Sequence, residues 1–165
     1  MKILKTLDLA LNKVEGAVLI LMLSLMVLVA FSQVMLRNLF HTGIDGADVL
    51  LRHLVLWIGF LGAAIATSEE RHINIDALRR FLPPRIRSAV DVLTDLFAAI
   101  VCFFLMNAAR VFVESERAAG GMLYQNIPTW YAQIIIPIGF GLLVVHFTIR
   151  AILRAHAALR KGGVK

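Results

Sequence analysis

Charge is what this sequence has least of. Only 17% of its 165 residues are charged, 59% are hydrophobic, and the mean hydropathy is +0.80. Soluble domains carry about a quarter charged residues. A water-borne fold is therefore excluded, because most of its helices would be apolar on every face. Cysteine is nearly absent as well. The single Cys102 lies inside an apolar run, which rules out an intramolecular disulfide and any cysteine metal centre. Phosphate-cradling loops are missing: Gly120-Gly121 is not followed by Lys-Ser or Lys-Thr and joins no strand to a helix, which leaves ATP hydrolysis without support. No nucleophile elbow, no His-Glu-x-x-His and no serine with an evident His and Asp partner occurs, which leaves hydrolase chemistry without support. The net charge of +6 does not point to nucleic acid, since the basic residues lie between apolar runs and at the chain end instead of forming one stripe.

What the sequence does contain is four long apolar runs. They predict an all-α integral membrane protein of one domain with four transmembrane helices, over about 15–37, 46–69, 86–112 and 128–151, and a basic tail over 152–165. Residues 1–13 place Ile3, Leu4, Leu7 and Leu11 on one helical side and Lys5, Asp8 and Asn12 on another, which predicts a short, separate amphipathic helix at the interface. No secretory cleavage pattern follows the first apolar run, so that run is expected to be a retained anchor. The third pattern, from about Arg85 to Arg117, outlasts a bilayer, and Arg110, Glu114 and Arg117 are spaced to pair along one side. In the fourth span Pro137 predicts a kink, and Trp130 and Tyr131 fall where an aromatic belt is expected.

Three Lys and Arg precede the first span, five lie between the second and third, five follow the fourth, and only Arg37, Arg52, Arg110 and Arg117 fall on the other side. The positive-inside rule then predicts that both termini and the central loop are cytoplasmic.

Several polar residues near membrane depth need an account. Asp48 and Arg52, four apart, are expected to pair along the second helix. Asp95 has no such neighbour to answer it fully, and it is expected to meet the central loop, a partner subunit or a group across the bundle. His53 and His146 raise the alternative of a haem-bearing redox anchor. Their depths differ by about ten residues, roughly 15 Å along the membrane normal, too far for two axial ligands of one haem, so both are expected to be packing groups. Gly59, Gly62, Ala63 and Ala66 recur at helical spacing and predict a face that lets another helix come close. The central segment holding Glu70, Arg71, His72 and Asp76 alternates Ile73 and Ile75 with polar residues, as in a segment held at the inner interface.

At these residues the chain resembles the small permease subunit of the tripartite ATP-independent periplasmic (TRAP) transporters, the DctQ-like family. The resemblance rests on Arg37, on Trp57-Ile58-Gly59-Phe60-Leu61-Gly62-Ala63-Ala64 leading to Glu70-Arg71-His72-Ile73-Asn74-Ile75-Asp76, on Leu82-Pro83, and on Ile127-Pro128-Thr129-Trp130 with Pro137-Ile138-Gly139. Family members often carry a Glu-Glu pair where this chain has Asp45-Gly46-Ala47-Asp48. The resemblance implies a multi-pass protein of the bacterial inner membrane, without cofactor or catalytic residues. It implies as partners a large membrane permease subunit, which carries the substrate and sodium sites, and a periplasmic binding protein, which captures an organic anion. This chain would brace the moving subunit. The competing readings are the haem anchor and a four-span assembly factor.

Overall fold

The computed structural model describes residues 2–68, 84–124 and 127–162. Helix α1 spans Lys2–Phe40, α2 Ala47–Ser68 and α3 Pro84–Ala119; strands β1 (Met122–Tyr124) and β2 (Ile127–Pro128) follow, then α4 (Thr129–Gln133) and α5 (Ile135–Gly162). Four stretches, Asp8–Phe40, Ala47–Ser68, Ala89–Ala119 and Thr129–Ala158, are long and apolar enough to cross a membrane.

Two elements depart from expectation. The separate helix predicted over 1–13 is joined to the first span, because α1 runs unbroken for 39 residues. No proline or turn pair interrupts it near Lys13, and a lone glycine such as Gly16 is tolerated inside a helix. Pro137 does more than kink the fourth span. Its ring has no N–H for the Gln133 carbonyl and crowds it, and the helix divides at Ile134 into α4 and α5. Hydrogen bonds bridge the break from Ile134 N–H to the Trp130 carbonyl at 3.1 Å and from Ile138 N–H to the Ile134 carbonyl at 3.3 Å.

The turns follow local chemistry. At the end of α1, His41 takes a left-handed φ of 53°, in the place usual for glycine, and the Thr42 N–H reaches back to the Leu36 carbonyl at 3.3 Å. The Gln33 side chain then accepts from the Ile44 N–H at 2.8 Å, holding the loop against the helix. Gly120 closes α3 at φ 67°, a conformation suited to glycine. β1 and β2 then pair antiparallel, Met122 opposite Pro128.

The helices pack in a row. α1 lies on α2, α2 on α5, and α5 most extensively on α3. On α2 the buried stripe is Ala47, Leu54, Leu61, Ala64 and Thr67, spaced by sevens and threes as one helical face requires. Where α2 meets α5, a Cβ placed on Gly139 would lie 2.7 Å from Phe60 Cγ, so only glycine admits this approach. The Phe60 ring also meets Phe140 edge-on at 5.3 Å. A row leaves broad apolar faces outward: Leu21, Phe31, Phe97 and Phe104 are each more than 60% exposed, as lipid-facing or partner-facing side chains would be.

Candidate functional site

Helix α5 carries His146, Arg150 and Arg154 four residues apart, on one face. Each of the other long helices meets that stripe. From α3, Asp95 is fully buried, accepts from Arg150 Nε at 2.9 Å and from Arg150 Nη2, and accepts from Arg154 Nη1 at 2.9 Å. From α2, the Thr67 carbonyl accepts from Arg150 Nη1 at 2.9 Å. From α1, Asp8 Oδ1 lies 3.0 Å from His146 Nδ1, and Glu15 Oε1 lies 3.1 Å from His146 Nε2. A ring donating from both nitrogens satisfies both carboxylates. His146 is 2% exposed and Glu15 4%, and among the described residues of α1 Glu15 alone is buried. Asn12 adds a contact to Ser68 of α2 at 2.5 Å.

Such groups are costly in lipid unless paired. Here the pairing is across helices, so α5 serves as the hub whose His146 and Arg150 tie the other three to one another within the row.

The opposite end is built differently. Trp57 Nε1 of α2 donates to the Ala132 carbonyl of α4 at 2.9 Å. The Arg117 guanidinium lies 5.3 Å from the Trp130 ring centroid, a cation–π contact. Between α3 and the α4–α5 junction opens a groove of about 390 Å³, lined by Met106, Arg110, Val113, Glu114, Arg117, Trp130, Ile134, Pro137 and Ile138.

The residues singled out from sequence are distributed as follows. Asp95 meets its partners across the bundle, in α5. Asp48 and Arg52 are both exposed and form no ion pair, a correction to the expected helix pair; each is free to reach water instead. Arg110 and Glu114 likewise remain exposed and unpaired with each other. The small residues divide: Gly62 faces α1, with Leu19 Cδ1 3.7 Å from a Cβ built on it, whereas Gly59 and Ala63 are exposed and a Cβ on Gly59 meets nothing within 4 Å. Ala66 is half-buried. Glu70, Arg71, His72 and Asp76 lie outside the described residues. His53 donates from Nδ1 to the Val49 carbonyl at 2.8 Å within its own helix. With both nitrogens of His146 facing carboxylates, the haem reading loses one of its two ligands.

Sequence reasoning missed Asp8, Glu15, Thr67, Arg150 and Arg154 as members of this network. The signal was present. Three polar residues at i, i+4 and i+8 at the end of an apolar run, and two acids seven apart at the start of another, each mark one helical face.

A four-span chain clasped at one end by buried charges is compatible with many membrane assemblies, and comparison with known proteins decides among them. A profile of the family described as "Tripartite ATP-independent periplasmic transporters, DctQ component" matches residues 26–157. The chain belongs to this family. It is a small permease subunit of a TRAP transporter and a multi-pass membrane protein. It is 28% identical over 157 residues to a TRAP transporter small permease protein of Haemophilus influenzae, covering 93% of this chain and 94% of that one. It is 30% identical over 156 residues to the ectoine TRAP transporter small permease protein TeaB of Halomonas elongata, covering 91% and 78%. A third relative, the sialic acid TRAP transporter permease protein SiaT of Haemophilus influenzae, is 29% identical over 77 residues, 47% of this chain but 12% of that protein.

Proposed function

We propose that this subunit is the static scaffold of a sodium-coupled uptake system for organic anions, partnered by a large membrane permease subunit and a periplasmic substrate-binding protein. The observation that carries the reading is the hub on α5: buried ion pairs and hydrogen bonds bind α1, α2 and α3 to one helix, as a brace requires. The reading draws further support from the middle of the spans. Among the described residues, the polar network gathers at one end and leaves no midplane cluster of carboxylates or cations, whereas carriers place such groups at interrupted helices there. The match to a short part of the longer SiaT permease supports a larger partner polypeptide, and its sialic acid label supports an organic anion. Independence from ATP, in the family's description, supports an ion gradient as the energy source.

In this reading the chain sits in the bacterial inner membrane with both termini and residues 70–90 cytoplasmic, which places the α5 hub toward the cytoplasm. The open positions Gly59 and Ala63 face the large subunit, and the segment with Glu70, Arg71, His72 and Asp76 lies at the inner interface. The test is reconstitution in liposomes with an inward sodium gradient, using this chain alone, the large subunit alone, and both with the binding protein. Accumulation only by the full set is expected. Uptake by this chain alone overturns the scaffold reading, and full uptake without it shows it to be dispensable. Labelling of Arg79→Cys by an impermeant thiol reagent on intact cells would overturn the orientation.

A further inference from the structure

The groove between α3 and the α4–α5 junction is graded in polarity along the helix axes. On α3 its lining runs from Met106 through Arg110, Val113 and Glu114 to Arg117, all on one face; on the facing side it runs from Ile138 and Pro137 through Ile134 to Trp130. Met106 and Arg117 are separated by about 16 Å of helix. The Met106 and Ile138 end is therefore apolar, Arg110 sits about one turn along from it, and the far end holds Glu114, Arg117 and the Trp130 indole.

We propose that this groove holds one anionic phospholipid, its phosphodiester between Arg110 and Arg117 and an acyl chain along Met106, Ile134, Pro137 and Ile138. Charge complementarity identifies the occupant. Arg110, Arg117 and Glu114 sum to one positive charge, which matches the single negative charge of a phosphodiester, and guanidinium forks bind phosphate oxygens in pairs. The direction of the gradient separates a lipid from a soluble anion, which has no use for the apolar half of the groove. Trp130 marks the level of the headgroups, where indole rings concentrate. The break at Ile134, forced by Pro137, shapes the wall opposite α3. Only the choice of leaflet rests on the orientation proposed above, which makes it the outer one.

The experiment is native mass spectrometry of the full-length chain in detergent, titrated separately with dioleoylphosphatidylglycerol, dioleoylglycerol and sodium phosphate. One bound phosphatidylglycerol is expected, with no adduct of dioleoylglycerol or phosphate at the same concentration. R110Q/R117Q should weaken that binding about a hundredfold, two charge-assisted contacts at about tenfold each. R37Q/R52Q, which removes the same charge on the same side but outside the groove, should leave it unchanged. Equal binding by wild type and R110Q/R117Q overturns the proposal, as does equal weakening by R37Q/R52Q or capture of phosphate alone. Should the double variant fail to fold, R110Q keeps the Arg117–Trp130 contact and carries the same test, with about a tenfold loss expected and unchanged binding overturning the site. Binding in detergent does not depend on which side faces out, so an inverted orientation would move the site to the other leaflet without removing it.

Discussion

At the end of the bundle where α5 carries His146, Arg150 and Arg154, three other helices converge on buried side-chain charges; at the opposite end, among the described residues, the helices meet through an indole-to-carbonyl bond and a cation–π contact, and Asp48, Arg52 and Arg110 stay exposed. The difference separates two ways of holding helices together. Desolvated charges that answer each other fix a unique arrangement but make every member indispensable. Contacts to backbone and to solvated groups hold less tightly and tolerate loss.

Four substitutions sharpen or break this contrast. The largest effect is expected at Asp95→Ala, which removes the buried carboxylate to which both Arg150 and Arg154 donate. A loss of about 3–5 kcal/mol is expected for removing one partner of a buried set, read as a large fall in Tm in detergent; an unchanged Tm would show that water already reaches the cluster. Glu15→Gln keeps the shape but removes the carboxylate charge that faces His146 Nε2. It should cost about 1.5–3 kcal/mol and should expose the first turns of α1 to added protease faster than α2; protection equal to wild type would mean that α1 is held by α2 alone. At the other end, Trp57→Phe deletes the bond to the Ala132 carbonyl while keeping most of the ring, and about 0.5–1.5 kcal/mol is expected in the same melting assay. Asp48→Ala should shift stability by less than about 0.5 kcal/mol, as exposed charges do. A loss there as large as that of Asp95→Ala would erase the distinction between the two ends.

The four spans were legible because apolar run length reports directly on helices that cross lipid. The second was expected over 46–69 and the helix covers Ala47–Ser68; the third was expected over 86–112 and the helix covers Pro84–Ala119. The junction of the first thirteen residues to the first span was not legible, since amphipathicity describes a surface and not a break; only a missing turn signal near Lys13 argued for continuity. The polar network was half legible. Asp95 stands out in the sequence as the less easily satisfied acid of the Arg87, Asp91 and Asp95 stripe, but its partners are 55 and 59 residues away on a helix whose arginines also read as topology signals. Glu15 was hidden by its position at the edge of an uncharged run, where an acid normally marks the start of a span. Row packing was not legible at all, because periodicity gives the face of each helix but not which neighbour covers it.

The spacing of Asp8 and Glu15 has a consequence for how α1 is phased about its own axis. Seven residues fall about 20° short of two full turns, so both carboxylates point the same way and engage opposite edges of one imidazole. With lipid accepting any apolar side chain around the rest of α1, these two acids are the teeth that set its rotation. A single residue inserted between them would turn one tooth by about 100° relative to the other, and only one could then engage. The same insertion in the uncharged run beyond Glu15 would leave both acids engaged and disturb instead the Leu19 contact at Gly62 and the Gln33 bond to the loop.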